Sequence, residues 1–432
     1  MKSKSKVTML VVAVLLSLLS SVNVQASETG KCGDNITWTL DDKGNLELTG
    51  KGKMYDYSLM GGPWSTSIVS VTISEGIENI GKYAFSFCGK LTNVVIPNSV
   101  KEILEGVFRG CEGLETVTIG ESVASIGPSA FSGCHGLLSV TIPSAVKVIE
   151  AKAFSNCGKL KSLSVDKENK VYDSRGNCNA IIETATNTLI YACKNTVIPN
   201  TVTKIGEDAF AYCAALTSIE IPNSVTDIKS GAFSGCSGLT SVVIPSSVSN
   251  LGGYVFYGCE SLTSMVIPNS VKSIGAYTLY GCRGLKNVVV GESVASVGNA
   301  AFKECAGLTR LEMLTKVPPK CGKDVFVGMD KTACELVVPA GCVDAYKTAA
   351  EWGDFSKITP GESSVGEVGT QGVTVTAAGG EIVVEGVADA AVEVYGIGGS
   401  LLYSGKSHRV SVPVAGIYVV RVNGKPHKVV VK

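Results

Sequence analysis

Histidine is almost missing from this chain, three residues in 432, and net charge is missing altogether, since 38 Lys and Arg balance 38 Asp and Glu. The balance removes the basic field that nucleic acid or an acidic bilayer would need, so neither is expected as a partner. The shortage of histidine narrows acid–base and metal chemistry: His135 follows a cysteine, and His408 and His427 lie near the C-terminus. No H-E-x-x-H, G-x-S-x-G or EF-hand loop occurs, and no C-x-x-C pair exists to begin a zinc site. Gly405-Lys406-Ser407 imitates the end of a phosphate loop, but Ser400 stands where that loop requires Gly, and the segment reads as a hairpin turn. Asp41-Asp42 and Asp166 with Glu168 are carboxylate pairs of the kind that solvated turns carry. The sequence predicts no enzyme, no cofactor and no metal.

Long apolar runs are short in supply as well. The run from Val7 to Leu19 follows Lys2, Lys4 and Lys6 and precedes Val24-Gln25-Ala26. It is too short for a confident membrane span and has the layout of a secretory signal peptide, 1–26, cut ahead of Ser27. Glu28-Thr-Gly-Lys31 before Cys32 is not a lipidation box, so no membrane insertion is expected after cleavage.

Cysteine and glycine, in contrast, are plentiful, at 15 and 49 residues. Nine cysteines hold one slot of a repeating unit: Cys88, Cys111, Cys134 and Cys157, then Cys213, Cys236, Cys259, Cys282 and Cys305, spaced by 23 residues except for one gap of 56. A period in the twenties marks a solenoid. Counting each cysteine as slot 0, apolar residues recur at slot 3 (Leu91, Leu239), slot 6 (Val94, Val242) and slot 8 (Ile96, Ile244). Slots 6 and 8 alternate with an outward slot 7, as in a half-buried strand, and proline usually ends it at slot 9 (Pro97, Pro245). A second apolar pair at slots 12 and 15 (Val100 with Ile103) and an Ala-Phe pair such as Ala232-Phe233 complete the coil. One coil cannot offset the entropy of ordering its own backbone; stacked coils share a continuous core.

The pattern Leu-x-x-Val-x-Ile-Pro-x-Ser-Val-x-x-Ile-Gly-x-x-Ala-Phe-x-x-Cys resembles the BspA-like leucine-rich repeats of bacterial surface proteins, over about residues 28 to 358. The expected fold is a β-rich leucine-rich repeat solenoid of 23-residue coils with short strands on one face, followed by a small antiparallel β-sandwich. Residues 27–67, with Cys32, Leu46 and Pro63-Trp64, are similar to an N-terminal cap; 68–311 hold the repeats; 312–358, with Ala345-Tyr346 and Trp352, are similar to a closing coil. Caps are expected because an open solenoid end exposes core and strand edges.

Adjacent coils place slot-0 residues about 4.8 Å apart, within disulfide reach by Cα distance. Nine in one file cannot all pair, and apolar neighbours suit small buried thiols, so a reduced structural ladder is expected. Disulfides are more credible among Cys32, Cys178, Cys193, Cys321, Cys334 and Cys342, although Cys193 also fits a core leucine slot. The residues in excess of the repeat, at about 166–190, read as short strands with turns at Asp173 to Asn177 and at Thr186-Asn187. They describe either a hairpin excursion from one coil or a seam between two halves.

Residues 359–372 have little to bury and read as a linker. Beyond it, 373–432 hold about seven short strands, a small sandwich. Val412-Pro413-Val-Ala-Gly-Ile-Tyr-Val-Val-Arg-Val422 and the final Lys-Val-Val-Val-Lys resemble the sorting domains of the type IX (Por) secretion route. That resemblance implies passage across the outer membrane of a Gram-negative cell and release or attachment outside.

Outward slots 5 and 7 line the strand face. Slot 5 is small and polar (Ser218, Ser241, Ser264, Asn287), while slot 7 gives a row of Val243, Val266 and Val289 between Glu220 and Glu312. An apolar row with a polar rim marks a contact surface. The expectation is an exported, non-catalytic, monomeric surface protein that binds a protein or glycoprotein of a cell surface or matrix, as an adhesin; the alternative is an envelope spacer without a ligand.

Overall fold

The computed structural model describes residues 28–64, 66–361 and, within 374–431, seven strands with some of their connections; the expected signal peptide and most of the linker lie outside the described residues. From Ser70 to Pro360 the chain winds as a β-solenoid. Its main file of parallel strands occupies slots 5 to 8, with Asn93–Val95 in register with Thr116–Thr118 and Ser139–Ile142 with Ser162–Val165. In Ser139–Ile142 the side chains alternate exposed and buried. The inward residues Leu91, Val94, Ile96, Val100, Ile103 and Phe108 are all buried.

A second file of strands runs along another side of the coil, where the sequence pattern places strands on one face only. Glu102–Ile103, Ser125–Ile126 and Val148–Ile149 pair in parallel at slots 14 and 15. Each is two residues long, too short for alternation to show in a sequence.

Aromatic rings form the spine. Trp64, Phe85, Phe108, Phe131 and Phe154 stack one per coil with centroids 5.3 Å apart at every step. Beyond Phe154 the stack ends edge-on against Tyr191. It resumes as Phe210, Phe233 and Phe256, and the last stretch, Phe302 and Phe326, meets Trp352 edge-on. A tryptophan thus closes each end, Trp64 donating its indole N–H to Ala84 O and Trp352 to Pro319 O.

The break at Tyr191 is a seam. Tyr172–Asp173, Ala180–Glu183 and Thr188–Ala192 form an antiparallel meander, whose last strand pairs in parallel with Lys204–Ile205 of the next coil. Ala180, Ile181 and Ile182 are all fully buried, with Ala180 and Ile182 in the C-terminal core and Ile181 in the N-terminal one. The middle strand is therefore a wall between two cores, not an excursion, and the core expected to be continuous is divided. Tyrosine hydroxyls cover the backbone groups left at the wall: Ala153 N–H donates to Tyr191 Oη, which donates to Glu150 O, and Ile149 N–H donates to Tyr172 Oη. Buried Asn169 is fully used, donating to Pro143 O and Val146 O and accepting from Val171 and Tyr172 N–H.

At the N-terminal end the strands Glu28–Gly33, Ile36–Leu40 and Asn45–Gly50 form an antiparallel meander that joins Ser70–Ile73 in parallel. At the other end the helix α1, Val343–Thr348, buries Tyr346. The strand Lys357–Pro360 pairs with Glu335–Val338, so Thr359 and Pro360 continue the solenoid where the sequence reads linker. The seven described strands within 374–431 form two antiparallel sheets, of three and four strands, with Ile382, Val384, Val392, Val394 and Val420 buried.

Candidate binding surfaces

The nine slot-0 cysteines are buried, Cys157 partly so. Cys111, Cys134, Cys157, Cys236, Cys259, Cys282 and Cys305 each donate a thiol hydrogen bond to the carbonyl 26 residues earlier, at 3.0 to 3.3 Å. Each acceptor belongs to the spine position of the preceding coil. Cys88 and Cys213, first in their halves, have no such bond among those described, Cys88 meeting only Ser86 O at 4.0 Å. All fifteen cysteines are free, including Cys32, Cys178, Cys193, Cys321, Cys334 and Cys342, where the sequence favours disulfides. Burial pushes the thiols of Cys88, Cys157, Cys213, Cys259 and Cys305 up to about 12. Thiols so far from ionisation are poor nucleophiles and poor ligands. Among the described residues no three His, Cys, Asp or Glu side chains converge as a metal site.

On the main strand face, Val266, Val289 and Glu312 lie in strict register across Ser264–Ile267, Asn287–Val290 and Arg310–Met313. Val266 and Val289 are half-buried, while Val243, just past the short strand Ser241–Val242, is 56% exposed. Ser218, Ser241 and Asn287 are exposed and Ser264 half-buried, so the polar rim is present. The two glutamates differ. Glu220 is exposed and has no ion pair among the described residues, whereas Glu312 is held by Arg310 at 3.4 Å. Arg310 also grips Glu335 at 3.1 Å, and Lys357 reaches the same carboxylate at 3.3 Å. Burial raises the Glu335 carboxyl, but the Thr359 hydrogen bond and the Lys357 and Arg310 charges outweigh it and hold the group below its usual value. This end of the valine row is a closed ionic network.

A second surface escapes the sequence reading. At slots 18 and 21 of two successive coils stand Tyr254, Tyr257, Tyr277 and Tyr280. Tyr254 stacks on Tyr277 with centroids 4.7 Å apart, and Tyr257 on Tyr280 at 4.9 Å; within each coil the two rings, Tyr254 with Tyr257 and Tyr277 with Tyr280, are 5.9 Å apart. None of the four hydroxyls has a protein partner among the described residues. Tyr254 and Tyr277 sit at φ 57° and 56°, a region costly for bulky side chains, where other coils carry Gly106, Ser129 or Gly231. Only the coil pitch brings residues 23 apart into ring contact, so no local pattern announces the block.

The pattern of a BspA type leucine rich repeat region matches this chain in six copies, over residues 64–179 and 187–309. The chain belongs to that family. One solved structure agrees on the fold, and others are similar to this chain. A leucine-rich repeat protein from Eubacterium ventriosum is 23% identical over 70% of this chain and 95% of that one, with a TM-score of 0.54. A leucine rich cell surface protein from Faecalibacterium prausnitzii is 25% identical over 67% of this chain and 95% of its own, with a TM-score of 0.49. The pneumococcal vaccine antigen PcpA is 17% identical over 78% and 99%, with a TM-score of 0.48. No curated protein matches the chain. BspA-type coils are scaffolds, and what this one offers a partner is surface.

Proposed function

We propose that this BspA-type protein is exported to the cell exterior and holds a macromolecular partner, a protein or glycoprotein of a cell surface or matrix, on the strand face around Val243, Val266 and Val289. One observation carries the reading: three valines in one outward slot of successive coils, with Val243 more than half exposed, make an apolar row among Ser241, Ser264 and Asn287. Apolar area of this kind is released from water on contact, and the hydroxyl and amide rim can pair with polar groups around it. Export rests on the Lys-rich, apolar first 26 residues, and outer-surface delivery on the likeness of 373–432 to sorting domains.

The test is a binding screen of the exported full chain against matrix proteins, mucin, glycans and bacterial surface fractions. The same screen is run with a Val243→Lys, Val266→Lys, Val289→Lys variant of unchanged circular dichroism. Saturable binding that the variant loses makes the protein an adhesin with its site on this face. Equal binding by both moves the site elsewhere, and no binding to any of these targets favours the envelope spacer.

A further inference from the structure

The tyrosine block occupies slots 18 and 21, apart from slot 7 of the valine row, and calls for its own partner. Its chemistry narrows the choice. Stacking at 4.7 and 4.9 Å takes one face of each ring and leaves phenol hydroxyls and ring edges, polar and apolar groups together, for a partner. Three residues past Tyr257 and Tyr280, in slot 1 of the coil that follows each pair, stand Glu260 and Arg283, both exposed. They have opposite sign and sit one coil apart, yet neither makes an ion pair with the other or with any described residue.

We propose that the tyrosine block is the centre of a two-fold interface with a second, antiparallel copy of this chain. A two-fold axis crossing the solenoid between these coils sets Tyr254 opposite Tyr277 of the second copy, Tyr257 opposite Tyr280, and Glu260 opposite Arg283. The unpaired charges of one copy are thereby answered twice over, as an isologous contact requires. The same axis matches bulk to bareness further out. Tyr212, 50% exposed, meets Gly328, and Val327, 48% exposed, meets Ala211. Only a partner with the same coil spacing keeps all these pairs in step, which favours a second solenoid over an extended peptide, whose strand advances about 3.3 Å per residue. The sequence reading expects a monomer, and the proposal departs from it.

The test is mass by sedimentation equilibrium on the exported full chain over a concentration series. A dimer is expected, and Glu260→Arg or Arg283→Glu alone should weaken it about tenfold or more, while the two together restore it. Tyr254→Ser with Tyr277→Ser should abolish it, a change the backbone tolerates because Ser129 occupies the equivalent position at φ 54°. A chain that is monomeric throughout the series overturns the proposal. So does a dimer in which the double charge reversal is no better than the singles. So does a monomer whose tyrosine variants lose a different macromolecule, which would hand the block to that partner. None of these outcomes bears on the valine row, which is read by the screen above.

Discussion

The thiol of Cys282 donates to the carbonyl oxygen of Phe256, 26 residues earlier, across 3.1 Å. That oxygen also accepts the Cys259 N–H at 3.2 Å, so the thiol is the second partner of a carbonyl at a coil corner. Slot 0 favours cysteine because it is small enough for the packed corner and still carries a donor. Cys282→Ala should therefore cost about 1 to 2 kcal/mol. Cys88→Ala, equally buried but without the inter-coil bond, should cost less by about 0.5 to 1 kcal/mol. Urea denaturation of both variants measures the difference; equal losses would assign the cysteine preference to volume alone.

Alkaline stability follows from the same ladder. Burial pushes the thiols of Cys88, Cys213, Cys259 and Cys305 up to about 12 in the folded chain, against about 8.5 when unfolded. Between those values the unfolded chain loses protons that the native chain keeps, so stability falls as pH rises. Below about pH 8 the contribution is fully present; through the window to about pH 12 each such thiol removes about 1.4 kcal/mol per pH unit. Denaturation midpoints should be flat near neutrality and drop steeply above pH 9 to 10. The ladder thiols should ignore a thiol reagent at pH 8 until the chain unfolds; rapid labelling in the folded protein of cysteines other than the half-buried Cys321 and Cys342 would contradict the buried ladder.

Gly110 and Phe87 form another coupled pair. Gly110 has φ 70°, and a Cβ there would lie 2.6 Å from Phe87 Cδ1. Gly133, one coil on, has φ 77° but its nearest neighbour is the Gly110 backbone at 3.5 Å. Gly133→Ala should show backbone strain alone, about 1 kcal/mol, and Gly110→Ala about 2 to 3 kcal/mol. Phe87→Ala should recover part of the excess, giving a non-additive double-mutant cycle. Additive losses would mean that the ring moves aside freely.

What the sequence discloses depends on repetition. Slot 0, the alternation at slots 5 to 8 and the spine phenylalanines recur often enough to declare themselves, and Cys236, Ile244 and Phe233 all take the places their spacing implies. The strand Glu102–Ile103 stays hidden because two residues cannot show a period. The wall at Ala180-Ile181-Ile182 occurs once, and its signal is the unbroken apolar triplet of a strand buried on both faces rather than alternation. Thr359 and Pro360 carry linker-like residues yet pair with Val337 and Val338, a pairing set by the coil before them. In the valine row the slots are legible, whereas the Arg310 network that engages Glu312 depends on Glu335 and Lys357, 25 and 47 residues away in sequence.

The wall has a thermodynamic consequence. Neighbouring coils of a solenoid couple through shared core and stacked rings, and cooperativity spreads as far as that coupling does. Here the spine changes from parallel rings at 5.3 Å to an edge-on contact at Tyr191, and the apolar side chains on the two sides of Ala180–Glu183 belong to separate cores. The two halves should unfold as distinct units with their own midpoints in urea. The tryptophans are placed to read them: Trp38 and Trp64 lie in the first core and Trp352 in the second, and these are all three in the chain. A Trp352→Phe variant therefore reports on the first half alone, and a Trp38→Phe, Trp64→Phe variant on the second. Tyr191→Phe removes the hydroxyl that joins Ala153 N–H and Glu150 O, leaving a buried donor unpaired, and should lower the stability of the first unit, and with it the first midpoint, by about 1 to 3 kcal/mol with a smaller effect on the second. Coincident transitions for both reporters, shifted equally by Tyr191→Phe, would show that coupling passes undiminished through the wall.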